Sequence, residues 1–134
     1  MGIDIFNCNT DDIEKSPCRL VYIASPFAGD VDGNIEFARD ACRFCIEEGS
    51  TPIAVHLLYP QILDDQDPEQ RQIGLKLGHN ILKRCDEIWV CGNTVSQGMS
   101  AEIVEAERLG IPIRQVTKEQ IYSISVSDYS MTMC

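Results

Sequence analysis

The sequence predicts an α/β fold: a single-domain, doubly wound parallel sheet, a flavodoxin-like or Rossmann-like three-layer sandwich. Three observations carry this. Short runs that are apolar throughout alternate with segments whose apolar residues recur at helical spacing. Those runs lack the in–out alternation of a half-exposed sheet, so both of their faces must be covered. The order β-α-β-α-β-α-β-α, joined by right-handed crossovers, then leaves helices on both sides of one sheet. A chain of 134 residues is enough for one sizeable core.

Residues 1–18 read as an N-terminal arm, 19–122 as the domain and 123–134 as a C-terminal tail. Arg19 to Ser25 is a buried strand stopped by Pro26. A turn over 29–34 precedes a helix on which Ile35, Ala38, Cys42, Cys45 and Ile46 share a stripe, with Gly49 as its stop. Thr51 to Leu58 is the second apolar run. Asp67-Pro68-Glu69-Gln70 starts the next helix, with Asp67 as N-cap, Pro68 at the first helical position and Gln70 closing a capping box. Ile73, Leu77, Ile81 and Leu82 mark its expected buried face. Glu87 to Cys91 is the third strand, Gly98 to Leu109 the third long helix, and Ile111 to Val116 the fourth strand. Thr117 to Gln120 opens a short helix with a second capping box.

The charge balance narrows the partners. There are 21 Asp and Glu against 11 Lys and Arg, a net charge of −10, and no basic cluster. A nucleic-acid or anionic-membrane binder needs a basic face, so neither is expected. No apolar run is long enough to span a membrane. The acidic N-terminus is not a signal peptide, and Asn7 stands where a myristoylation pattern wants Ser or Thr. The seven scattered cysteines read as reduced thiols of a cytoplasmic protein.

In a parallel sheet of this kind the ligand crevice lies at the carboxyl ends of the strands. Those ends carry Ser25-Pro26-Phe27, His56 to Tyr59, and Gly92-Asn93-Thr94 with the helix start behind them. Glu102 falls early in the third helix, where free N–H groups favour a carboxylate. It is either a nucleophile for an anomeric carbon or a dipole-favoured surface acid. Tyr22 either orients Glu102 from the first strand or is a core tyrosine bonded to backbone. His56 and His79 lack a carboxylate pattern for a metal site. Cys42-x-x-Cys45 sits on an apolar helix stripe, where core packing is favoured over redox work. Asp86 reads as a structural acid bonding loop amides. No phosphate-binding P-loop and no dinucleotide glycine fingerprint are present.

Val21-Tyr22-Ile23-Ala24-Ser25-Pro26-Phe27, Cys85-Asp86-Glu87-Ile88-Trp89-Val90 and Gly98-Met99-Ser100-Ala101-Glu102-Ile103 together resemble the nucleoside 2-deoxyribosyltransferase superfamily. Segments around Pro52 to Pro60, Leu63-Asp64-Asp65 and Ser96 to Pro112 are similar to its DUF4406/DUF7768-type bacterial and phage branch. The likeness covers about residues 19–116. It implies a flavodoxin-like sandwich, homo-oligomers, and a glutamate attacking C1′ of a nucleoside. Glu102 occupies the place of that glutamate and Tyr22 that of the tyrosine orienting it. Ser25, Pro26, Phe27, His56, Asn80, Gly92, Asn93, Ser96, Gly98 and Met99 would then line the substrate pocket. Related hydrolases hold a 5′-phosphate through serines and backbone amides, a role the resemblance offers to Ser25, Ser96 and Ser100.

This chain departs from the transferases at the base-handling acid, where it reads Gly78-His79-Asn80. The implied activity is cleavage or transfer of the N-glycosidic bond of a small-molecule nucleoside or nucleotide, with no metal or redox cofactor. A non-catalytic nucleotide-binding or sensing module on the same fold is the alternative. The stripe Ile73-Leu77-Ile81 and the tail around Tyr129 offer surfaces for self-association.

Overall fold

In the computed structural model, which describes residues 19–123, four strands form one all-parallel sheet in the order β2-β1-β3-β4. The elements are β1 (Leu20–Ala24), α1 (Val31–Glu47), β2 (Thr51–Ile53), α2 (Pro68–Leu82), β3 (Glu87–Cys91), α3 (Gln97–Leu109) and β4 (Ile113–Val116). A further helical stretch occupies 118–123. The expected arm over 1–18 and the tail beyond residue 123, Tyr129 included, lie outside the described residues.

The two-residue alternation of the strands sorts the core into two halves. Val21, Ile23, Trp89, Cys91 and Val116 meet Phe37, Ala41, Phe44 and Cys45 of α1, with Ile121 closing the edge. The intervening Tyr22, Ala24 and Ile88 meet Leu82 of α2, Ala106 of α3, and Val55 and Cys85. Helices thus cover both faces, α1 on one and α2 with α3 on the other, as the doubly wound reading requires. β1 lies between β2 and β3, with Tyr22 opposite Ile53 on one side and Ile88 on the other. Asp86 ties the sheet at its amino end, its Oδ2 accepting from the Leu20 amide at 2.7 Å.

Several elements differ in extent from their sequence reading. The expected strand over 51–58 pairs only over Thr51–Ile53, then turns through two 3₁₀ segments, Val55–Leu57 and Tyr59–Gln61. The turn directs Val55 into the core and brings His56 to the pocket rather than to a strand end. Helix α1 starts at Val31, inside the expected turn, because Asp30 caps it by accepting from the Gly33 amide at 3.2 Å. Asp67 does cap α2, accepting from the Glu69 amide at 3.1 Å. Gln70 instead bonds the Asp67 carboxylate at 3.0 Å and the Asp64 amide at 2.8 Å, so no reciprocal box closes there. The box at Thr117 and Gln120 is present, with bonds of 2.8 and 3.1 Å. On α2 only Gly78 and Leu82 are buried, and Ile73 is exposed rather than part of a buried face. Gly74 and Leu75 of this helix line a cavity.

Candidate active site

β1 and β3 are adjacent, and β3 runs through Gly92 into the loop that starts α3. Ser96 caps that helix, its Oγ accepting from the Met99 amide at 3.2 Å. The cap sets the helix so that Glu102, in its second turn, overhangs β1. Tyr22 Oη donates a hydrogen bond to Glu102 Oε2. Glu102 Oε1 is shut off from solvent and has no protein partner.

Burial dominates the electrostatics of this pair. It pushes the Glu102 carboxyl from its ordinary 4.5 up to about 7, against the hydrogen bond from Tyr22, which favours the anion. Burial, then the charge of Glu102 and the hydrogen bond to it, push the Tyr22 phenol well above the usual tyrosine range. Tyr22 therefore stays a donor at any working pH, while Glu102 is poised between acid and base near neutrality.

The pair opens onto a cavity of about 350 Å³. One wall is α2 through Gly74, Leu75, Gly78, His79 and Leu82, and the facing wall is α3 through Gly98, Ala101, Glu102 and Glu105. The 3₁₀ turns close the third side with His56, Tyr59 and Pro60, and Asp65, Gln70 and Arg71 supply polar rim groups. α2 passes close to the phenol at Gly78, where a Cβ would stand 3.5 Å from Tyr22 Oη, in ordinary contact. His56 stacks on Phe27 with ring centroids 5.1 Å apart, and burial lowers its pKa against the opposing charge of Asp65. Across the cavity, His79 Nδ1 lies 3.2 Å from Glu105 Oε2. The Arg108 guanidinium donates to Glu105, and those bonds hold its carboxyl below the usual carboxylate range.

Of the residues expected at the site, Tyr22, His56, Gly98 and Glu102 line this cavity, and Phe27 backs His56. Pro26, Gly92 and Asn93 line a separate concavity on the α1 side of the sheet. There Asn93 accepts from the Lys118 amide at 3.0 Å and donates to Glu119, tying the loop to the last helix. Ser25 is buried, with its hydroxyl unpartnered. Met99 is buried, and Ser96 serves as the cap. Asn80 is exposed, and its carbonyl accepts from Arg84 at 3.1 Å. Ser25, Ser96 and Ser100 are not among the residues lining this cavity.

Sequence reasoning missed the His79–Glu105 pair. The available signal was the three-residue step from Glu102 to Glu105, which puts both carboxyls on one helix face. Among the described residues, no three His, Cys, Asp or Glu side chains converge as metal ligands would. Burial pushes the Cys42 thiol up to about 11 and Cys45 higher still, the opposite of a reactive redox pair. None of the described helices is long and apolar enough to cross a membrane.

The family described as a domain of unknown function (DUF7768) matches residues 19–116. Among solved structures, the chain is similar to the 2-deoxyribosyltransferase of the psychrotolerant bacterium Bacillus psychrosaccharolyticus. The TM-score is 0.62 at 19% identity, over 73% of this chain and 72% of that one. That protein is described as a biocatalyst for the synthesis of antiviral and antitumoral nucleosides. At this identity the likeness shows a shared fold. No curated protein sequence matches the chain.

Proposed function

We propose that this chain, which belongs to the DUF7768 family, cleaves or transfers the N-glycosidic bond of a nucleoside or nucleotide, with Glu102 as nucleophile. The observation that carries the reading is the Tyr22–Glu102 hydrogen bond at the wall of an otherwise largely apolar cavity, with Glu102 Oε1 lacking any protein partner. Tyr22 holds one carboxylate oxygen, and the other, sealed from solvent with no protein partner, turns toward the cavity to attack C1′. The displaced base departs and a glycosyl ester forms on Glu102. Water or a second base then takes the sugar. Only the anion attacks, and with its carboxyl near 7 Glu102 is ionised in a fraction of molecules at neutral pH that grows as pH rises. The shared fold with a 2-deoxyribosyltransferase supports a deoxyribosyl group as the transferred unit.

The test is mass spectrometry of the protein incubated with purine and pyrimidine 2′-deoxynucleosides and their 5′-monophosphates. Free base, together with a protein adduct of the mass of the sugar unit, is the expected result. Glu102→Gln should abolish both. Failure to release any base would leave the second reading, a nucleotide-binding or sensing module. That reading is favoured by one observation: α2 presents Gly78 and His79 to the cavity rather than a carboxylate. The proposal includes self-association, supported by the exposure of Ile73 and Val104 on the two helices flanking the cavity. Light scattering that returns a monomer at micromolar concentration would remove it.

A further inference from the structure

We propose that His79 and Glu105 handle the proton of the departing base: His79 as a catalytic acid, Glu105 as the positioning residue that holds it. The inference rests on the glycosidic reading above and adds the half of the chemistry that Glu102 cannot supply. A nucleobase leaving a neutral nucleoside is a poor leaving group unless its nitrogen is protonated as the bond breaks. The nucleophile and the proton donor must therefore sit in different environments within one cavity.

Glu102 and the His79–Glu105 pair meet that requirement. Glu102 and Glu105 are one turn apart on α3 and both line the cavity. Glu102 is packed against Tyr22 with one oxygen sealed from solvent. Glu105 faces Arg108, which donates to it at 3.1 and 3.2 Å, and His79, whose Nδ1 lies 3.2 Å from its Oε2. A carboxylate fixed in this way is the partner of Nδ1 and orients the ring. Nε2 is then the nitrogen available to a ligand, and among the described residues no hydrogen bond engages it. His79 follows Gly78, at which α2 passes close to Tyr22 Oη. The ring thus belongs to the same cavity as the nucleophile but to the opposite wall. Asp65, the other acid on the lining, is exposed at the rim.

The steps balance. As Glu102 Oε1 bonds to C1′, the C1′–N bond breaks and its electron pair stays on the base nitrogen. That nitrogen takes the proton from His79 Nε2, leaving a neutral imidazole still donating through Nδ1 to Glu105. In the return step, Nε2 takes a proton from water or from an incoming base. The new bond to C1′ forms and the ester C1′–O bond breaks.

The experiment compares the best purine 2′-deoxynucleoside with its N7-methylated form, whose base carries a positive charge and leaves without protonation. The readout is the ratio of kcat/KM for the methylated to the unmethylated substrate, measured for wild type, His79→Gln, Glu105→Gln and Glu102→Gln. His79→Gln should raise that ratio by roughly 10²–10⁴, the usual contribution of a positioned acid. Glu105→Gln should raise it less, since the ring remains but is no longer held. A purely structural His79 would depress both substrates together and leave the ratio unchanged, and that result overturns the proposal. An unchanged ratio in both variants with Glu102→Gln inactive would remove the dyad and keep the nucleophile. A wild type that turns over neither substrate would remove the glycosidic reading, and the dyad with it.

Discussion

Replacing Glu102 by glutamine should make the protein more stable at alkaline pH and change little at acid pH. The carboxyl titrates at about 7 in the folded chain against an ordinary 4.5, chiefly because burial penalises its charge. A folded pKa raised in this way means that the neutral carboxyl is tolerated and the anion is not. The associated stability is fully present below about pH 4.5 and is lost as pH rises through about 7. At about 1.4 kcal/mol per pH unit, the interval corresponds to about 3 kcal/mol above pH 8. For a chain of this size that is on the order of 10 °C in Tm.

Glutamine keeps the shape and an acceptor for Tyr22 Oη but carries no charge to desolvate. The assay is urea unfolding of wild type and Glu102→Gln at about pH 4.5 and about pH 8.5. The variant should gain up to about 3 kcal/mol at the higher pH and nearly nothing at the lower. Such a gain, coupled to loss of turnover, is the trade-off expected of a group retained for chemistry. Equal stability differences at the two pH values, or a loss at the higher one, would show that Glu102 is not buried as a charge and would refute the reasoning.

Tyr22→Phe removes the donor that favours the Glu102 anion, so the acid limb of the pH–rate profile should move to higher pH. Its kcat/KM should fall by about 10- to 100-fold, the worth of a hydrogen bond to a charged group. Gly78→Ala places a methyl group 3.5 Å from Tyr22 Oη in a helix interior. It should raise stability by up to about 1 kcal/mol through helix propensity while raising KM, read by thermal melts and steady-state kinetics. Gly92→Ala should cost about 1–3 kcal/mol, because Gly92 has φ +113° and a Cβ would meet the Phe37 ring at 3.4 Å; chemical denaturation measures it. Asp86→Ala should cost about 1–3 kcal/mol by leaving the Leu20 amide without its acceptor.

Burial pattern and turn chemistry, both local, carried much of the fold. Continuous apolar runs at Leu20–Ala24 and Glu87–Cys91 can only be strands covered on both faces, and they are. Asp67-Pro68 and Thr117 to Gln120 carry their helix starts in their own side chains, and those starts are where they were expected. Asp86 could be read as an amide-binding acid from its place before β3. The strand that ended early, Thr51 to Leu58, shows the limit of that reasoning. An apolar run does not say whether its residues face a sheet neighbour or fold back into the core. The choice depended on the cavity under α2, which no local pattern encodes. Ile73 likewise is exposed on a helix whose periodicity predicted burial.

The site divides along the same line. Position alone left Glu102 and Tyr22 open between a functional and a structural role, and the family resemblance singled them out; the pairing of β1 with β3 brings them together. What only the tertiary structure decided was the company each residue keeps. It put Pro26, Gly92 and Asn93 on the α1 side of the sheet and Ser25 and Met99 inside it, and it set His79 against Glu105 across two helices. Those placements depend on strand order and helix rotation. These are sums over many weak packing contacts, and no short stretch of sequence states them.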